Sequence, residues 1–282
     1  MSITSKKTSA LLSLAFITLG MLAFCCSASA QTASQDCEKF SGDQAIAACD
    51  RAIQQNPRDA NAFYNRGIEW RAKGDNDRAI ADYNEAIRLN PQSANAFNNR
   101  GEAWRTKGDN DRAIADYNEA IRLNPQLAIA FSNRGLAWAD KGDNDRAIAD
   151  YNEAIRLNPQ FAIAFNNRGG AWRTKGDNDR AIADYNEAIR LNPQLAIAFN
   201  NRGLAWADKG YNDRAIADYN EAIRLNPQSA NAFYNRGLAW ESKNDLAQAL
   251  TDFRNYARLT PNDPRGPRAI QRIEGKIDAK KK

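Results

Sequence analysis

ANAFYNRGIEWRAKGDNDRAIADYNEAIRLNPQS, residues 60–93, is the stretch that decides the fold. Phe63, Gly67 and Trp70 are separated by four and then three positions, so they share one helical face. Ala79, Tyr83 and Ala86 repeat that spacing on a second helix. Gly67 has no side chain and Ala79 a small one, so a neighbouring helix can approach closely at both. Gly74 predicts the end of the first helix, because glycine takes the left-handed conformation without penalty. Asp75 or Asp77 then offers a carboxylate cap to the second helix. Pro91 closes that helix and starts the connection onward.

The stretch recurs every 34 residues, as 60–93, 94–127, 128–161, 162–195, 196–229 and 230–263. All six tryptophans keep the phase, at Trp70, Trp104, Trp138, Trp172, Trp206 and Trp240. Gly67, Gly101, Gly135, Gly169, Gly203 and Gly237 keep step with them. Neither helix of such a pair can bury its apolar face alone, so neighbours must stack into a continuous core. A longer period lies over the short one: 94–127 and 162–195 differ only at Asn95/Ile163 and Glu102/Gly170.

This spacing resembles the tetratricopeptide repeat. The resemblance covers 60–263 and implies an all-α, right-handed superhelical solenoid of antiparallel helix pairs. One position departs from the family: its usual leucine before the glycine is arginine in every repeat, at Arg66, Arg100, Arg134, Arg168, Arg202 and Arg236. Their stems are expected to lie on apolar neighbours while the guanidinium reaches a carboxylate such as Asp82 or Glu85.

Residues 31–59 read as a partial repeat, in which Ala45, Ile46, Cys49, Ala52, Ile53 and Pro57 match a second helix alone. Residues 264–282 read as a cap and a basic tail. Arg268–Ala279 is expected to be helical with Ile270, Ile273 and Ile277 as a narrow apolar stripe. Tyr256 replaces the small residue seen at Ala86 and Ala222, which stops a further repeat from docking in the same way.

Residues 1–30 read as a cleaved signal peptide. Lys6 and Lys7 precede the apolar run Leu11–Cys26, and Ala28-Ser29-Ala30 fits small-x-small cleavage after Ala30. The run is short for a spanning helix, and the expected location is periplasmic or secreted, with no stable membrane insertion after cleavage. Cys25 and Cys26 leave with the signal. Cys37 and Cys49 remain, an even pair in an oxidising space, and a bridge between them is worth roughly 3 kcal/mol in the chain-entropy account.

The chain has no histidine, and its two methionines, Met1 and Met21, fall in the N-terminal segment. Neither catalytic residues, a metal site nor a cofactor is expected. Without Lys6 and Lys7, 37 basic residues face 34 acidic ones, a balance too even to argue for nucleic acid.

In this family the first helices line the concave groove. The resemblance therefore places the second, fifth, sixth, ninth, twelfth and thirteenth residues of each repeat toward a protein or peptide partner. The sixth is always asparagine: Asn65, Asn99, Asn133, Asn167, Asn201 and Asn235. Such a row resembles the asparagine ladder of O-linked N-acetylglucosamine transferases, although asparagine is also simply tolerated on a surface. Ile68, Leu136, Leu204 and Leu238 share the face at the ninth place, and Ile129, Ile163 and Ile197 at the second. Arg71, Arg105 and Arg173 occupy the twelfth. The basic residues of a carboxylate clamp are missing from the fifth and ninth places. The reading is a non-catalytic scaffold, with a self-assembling envelope spacer and a nucleic-acid-binding helical repeat as the alternatives.

Overall fold

The structure is a computed structural model that describes residues 35–280, among which there is helix and turn but no strand. It divides into two compact parts, up to Pro125 and from Gln126 onward. The first part holds α1 (Gly42–Gln55), α2 (Ala60–Ala72), α3 (Asn76–Leu89), α4 (Ala94–Thr106) and α5 (Asn110–Leu123). The second begins with α6 (Ala128–Asp140), α7 (Asn144–Leu157), α8 (Ala162–Thr174), α9 (Asn178–Leu191) and α10 (Ala196–Asp208). It continues with α11 (Asn212–Leu225), α12 (Ala230–Ser242), α13 (Leu246–Leu259) and α14 (Arg265–Lys280). Within each part, a first helix packs on the second helix of its own repeat and on the one before it. The signal-peptide reading lies outside the described residues. Among the described residues no helix is long and apolar enough to cross a membrane.

Each repeat is held by one large-into-small contact. A Cβ on Gly67 would stand 2.7 Å from Tyr83 Cε1, so the buried tyrosine ring of the second helix lies directly on the glycine. The small residue thus admits a side chain of its own hairpin. Burying a ring of that size stabilises by roughly 2 kcal/mol. Gly74 ends α2 with φ +80°, as its sequence position predicts, and Asn244 takes the same turn in the last repeat with φ 62°.

Of the two candidate caps, Asp75 is the one that works: its Oδ1 accepts from the Arg78 amide at 3.0 Å. Asp77 pairs instead with Lys107 of the following repeat. Arg78 lies over the Trp70 ring, 3.5 Å from its centroid, and also donates to Asp75. The arrangement fails once. Tyr211 stands where the other repeats have aspartate, and α11 has no side-chain cap. Half of Tyr211 is exposed, and its ring stacks edge-on to Trp206. Tyr211→Asp is expected to raise stability by about 1 kcal/mol, read as a higher urea midpoint at unchanged m-value.

The C-terminal helix starts at Arg265, three residues before the sequence expectation. Pro267 falls in its first turn, where a missing N–H costs nothing. Ile273 and Ala269 are buried against Leu246, Ala249 and Phe253, with Ile270 and Ile277 beside them. Tyr256 is fully buried and donates to Asp263 Oδ2 at 2.7 Å. The Arg265 guanidinium and amide hold the Asp263 carboxyl well below the usual carboxylate range. At the other end, α1 buries Ala45, Ile46, Ala48, Cys49 and Ala52. The sulfurs of Cys37 and Cys49 stand 1.94 Å apart, with 4.7 Å between Cα atoms.

Candidate functional site

The arginine before each glycine is engaged by the carboxylate of its own repeat's second helix. Arg168 Nε and Nη2 donate to both oxygens of Asp184 at 2.8 and 2.6 Å, and Nη1 donates to Asn152 at 2.7 Å. Arg66 does the same with Asp82, and its third nitrogen reaches Asp50. Each guanidinium also covers the phenylalanine three residues earlier, at 5.5 Å for Arg66 and Phe63. Arg66, Arg100, Arg168, Arg202 and Arg236 each join three helices of one part: their own first helix, the second helix of their repeat and the one before. Glu85, the other carboxylate within reach in sequence, is held by Arg88.

The sixth-place asparagines are half-buried, and Asn133 is buried. They bond sideways, from repeat to repeat. In the second part Asn235 donates to Asn200 Oδ1, Asn200 to Asn201 Oδ1, Asn201 to Asn166 Oδ1 and Asn166 to Asn167 Oδ1. In the first part Asn98 donates to Asn99, and Asn99 to the Tyr64 hydroxyl at 3.0 Å. Within each part, fifth and sixth places therefore form a chain of side-chain hydrogen bonds between adjacent first helices. Asn98, Asn166 and Asn200, expected to face a partner, are buried in that chain, and Ser132 at the same place is buried too. Each linked amide has two N–H groups and two lone pairs, so the chain does not exhaust it.

The twelfth-place arginines are paired too. Arg71 Nη1 lies 2.9 Å from Glu102, and Arg173 Nε lies 2.7 Å from Asp208. Arg105 lies near Tyr117. Below them burial pushes the Tyr83 and Tyr117 hydroxyls up, while the neighbouring arginine charge pulls the other way.

Three first helices of the second part expose an isoleucine near their N-terminal ends. Ile129, Ile163 and Ile197 are 40%, 41% and 49% exposed. Each follows by two positions a residue that sequence reading treated as connection: Leu127, Phe161 and Leu195. Those three occupy N-cap positions and give no side-chain cap, whereas Asp59 and Ser93 cap α2 and α4. A missing cap costs about 1 kcal/mol. The signal was the replacement of serine or aspartate by an apolar residue at three successive junctions. Ile68, Leu136 and Leu204 are half-buried and Leu238 is 38% exposed.

A family model described as tetratricopeptide repeat matches residues 64–128 and 132–196, and a second, described as TPR repeat, matches 205–241. The repeats are tetratricopeptide repeats. Among solved structures, the TPR chain is similar to one in the APC/C hetero-tetramer Cut9–Hcn1, with TM-score 0.72 and 20% identity. That match covers 82% of this chain and 48% of the other, so the TPR chain spans about half its length. It is similar to a tetratricopeptide repeat protein of Parabacteroides merdae, with TM-score 0.66, 20% identity and coverage of 82% and 91%. It is also similar to YrrB, described as a TPR protein with an unusual peptide-binding site, at TM-score 0.50, 24% identity and coverage of 66% and 95%. No curated protein matches the sequence. These likenesses establish a TPR solenoid fold. Among the described residues of the TPR chain, no group of three or more metal-ligating side chains comes together.

Proposed function

We infer that the chain is a non-catalytic scaffold that holds a protein or peptide on the face formed by the first helices of its repeats. One observation carries this: three successive first helices forgo a polar cap and present an isoleucine to solvent. Exposed aliphatic residues in a row suit an apolar partner surface. Half-buried side-chain amides beside them suit the main chain of an extended peptide, and YrrB is a TPR protein with a peptide-binding site. The signal-peptide reading and a Cys37–Cys49 bridge both favour a location outside the cytoplasm.

The test replaces Ile129, Ile163 and Ile197 together by lysine. The variant is expected to keep the helical circular-dichroism signal and melting temperature, because the residues are exposed, and to lose the species that wild type retains from an envelope extract. Equal retention by both proteins sinks the reading. Light scattering that shows wild type assembling with itself, and the variant monomeric, favours the self-assembling spacer instead.

A further inference from the structure

Two consecutive glycines stand in α8, and packing explains only one. A Cβ on Gly169 would lie 2.8 Å from Tyr185 Cε1 and 3.1 Å from the Ala181 carbonyl oxygen. A Cβ on Gly170 would meet nothing nearer than the Tyr185 hydroxyl, at 3.9 Å. Immediately around the missing Cβ of Gly170, only the Tyr185 hydroxyl comes within 4 Å. Elsewhere the ninth place carries Ile68, Glu102, Leu136, Leu204 or Leu238.

The first part shows what fills such a space. There Arg71 and Glu102 pair across neighbouring first helices at 2.9 Å. The equivalent positions in the second part are Ala139 and Gly170, so both members of the pair are absent. Repeats 94–127 and 162–195 differ at only two positions, and the loss of the Glu102 side chain is one of them. The frame is otherwise unchanged.

The space has a distinct chemistry. Leu136 on α6 and Leu204 on α10 hold the ninth place on either side and are half-buried. Tyr185 forms the floor. It is 1% exposed, and its hydroxyl makes no hydrogen bond among the described residues. At Tyr117, in the repeat that has Glu102, the same hydroxyl is sealed from solvent. Arg173 at the rim is engaged with Asp208.

We propose that this opening receives a tyrosine side chain of the bound peptide, its ring between Leu136 and Leu204 and its hydroxyl hydrogen-bonded to Tyr185. The flanking leucines favour a ring between them, the Arg173–Asp208 pair at the rim is already neutralised, and the unmet phenol at the base favours a polar tip over a purely hydrocarbon one. The proposal rests on the peptide-binding reading above and names the residue that the site selects.

Capped amino acids test it without the natural partner. N-acetyl-tyrosinamide, N-acetyl-phenylalaninamide and N-acetyl-lysinamide are titrated into the nitrogen-15-labelled protein, and the Gly170 amide resonance is followed. The tyrosine amide is expected to give a saturable shift, the phenylalanine amide to bind about five-fold more weakly, and the lysine amide to give none. Tyr185→Phe is expected to abolish the difference between tyrosine and phenylalanine. Phe253 stands fully buried at that place in the last repeat, so the ring change is tolerated. Gly170→Leu, and separately Ala139→Arg with Gly170→Glu, are expected to close the opening to the tyrosine amide. Equal affinity for tyrosine and phenylalanine amides in wild type, undiminished binding after closure, or no saturable shift overturns the proposal. Partner capture that survives Gly170→Leu but fails with the triple isoleucine variant leaves the peptide reading standing and removes only the tyrosine.

Discussion

Arg168→Leu is expected to destabilise the protein by about 3–5 kcal/mol, although leucine is the residue the repeat family ordinarily carries there. The reason is the partner. Asp184 is 6% exposed and takes both of its close hydrogen bonds from Arg168. Removing the guanidinium leaves a carboxylate in a place water hardly reaches. The loss also cuts the link to Asn152 on α7 and uncovers Phe165, over which the guanidinium lies at 5.4 Å. Changing Asp184 to leucine in the same chain is expected to recover most of the cost, because an apolar pair needs no desolvation of charge. Urea unfolding of wild type, both single variants and the double variant gives the coupling energy. Single variants that each cost under about 1 kcal/mol are the outcome that sinks this account, since exposed pairs are worth no more than that. Repeat arrays are stabilised by nearest-neighbour contacts, so the single variants should also broaden the transition as the repeats uncouple.

That pair shows how far the sequence alone reaches. An arginine in phase with a buried glycine predicts a stem on apolar neighbours and a carboxylate at its tip. Which carboxylate depends on the rotation of the second helix, and on Arg88 already occupying Glu85. The helix pairs, the turn glycines and the apolar stripe of the last helix follow from spacing, because each is a local rule. The amide row is legible as a row. Its bonding is not, because sideways bonds such as that of Asn201 with Asn166 depend on the distance between first helices of successive repeats. Leu127, Phe161 and Leu195 stand outside the helical spacing, so no periodic rule assigns them a face. Pro267 reads as a barrier in sequence, but in a first turn it is none.

The two glycines of α8 are expected to answer the same substitution with opposite signs. At Gly170 an added methyl group enters open space, and alanine gains about 1 kcal/mol from helix propensity alone. At Gly169 that gain is present too, but the methyl group must displace either the Tyr185 ring or the Ala181 carbonyl oxygen, both at or within 3.1 Å of its position. The ring is 1% exposed and lies in a cluster with Ala181, Ile182 and Ala205, which holds it against the glycine. Overpacking of this kind costs about 1–3 kcal/mol, which offsets the propensity gain and leaves Gly169→Ala destabilising. The pair is read by thermal and urea unfolding of Gly169→Ala and Gly170→Ala side by side. If Gly169→Ala is as stable as Gly170→Ala, the tyrosine ring is not seated on its glycine and the large-into-small contact is not what holds each hairpin. If Gly170→Ala loses stability, the space above it is already filled, and the opening toward Tyr185 does not exist. The contrast therefore bears on the fold through one residue and on the candidate site through its neighbour.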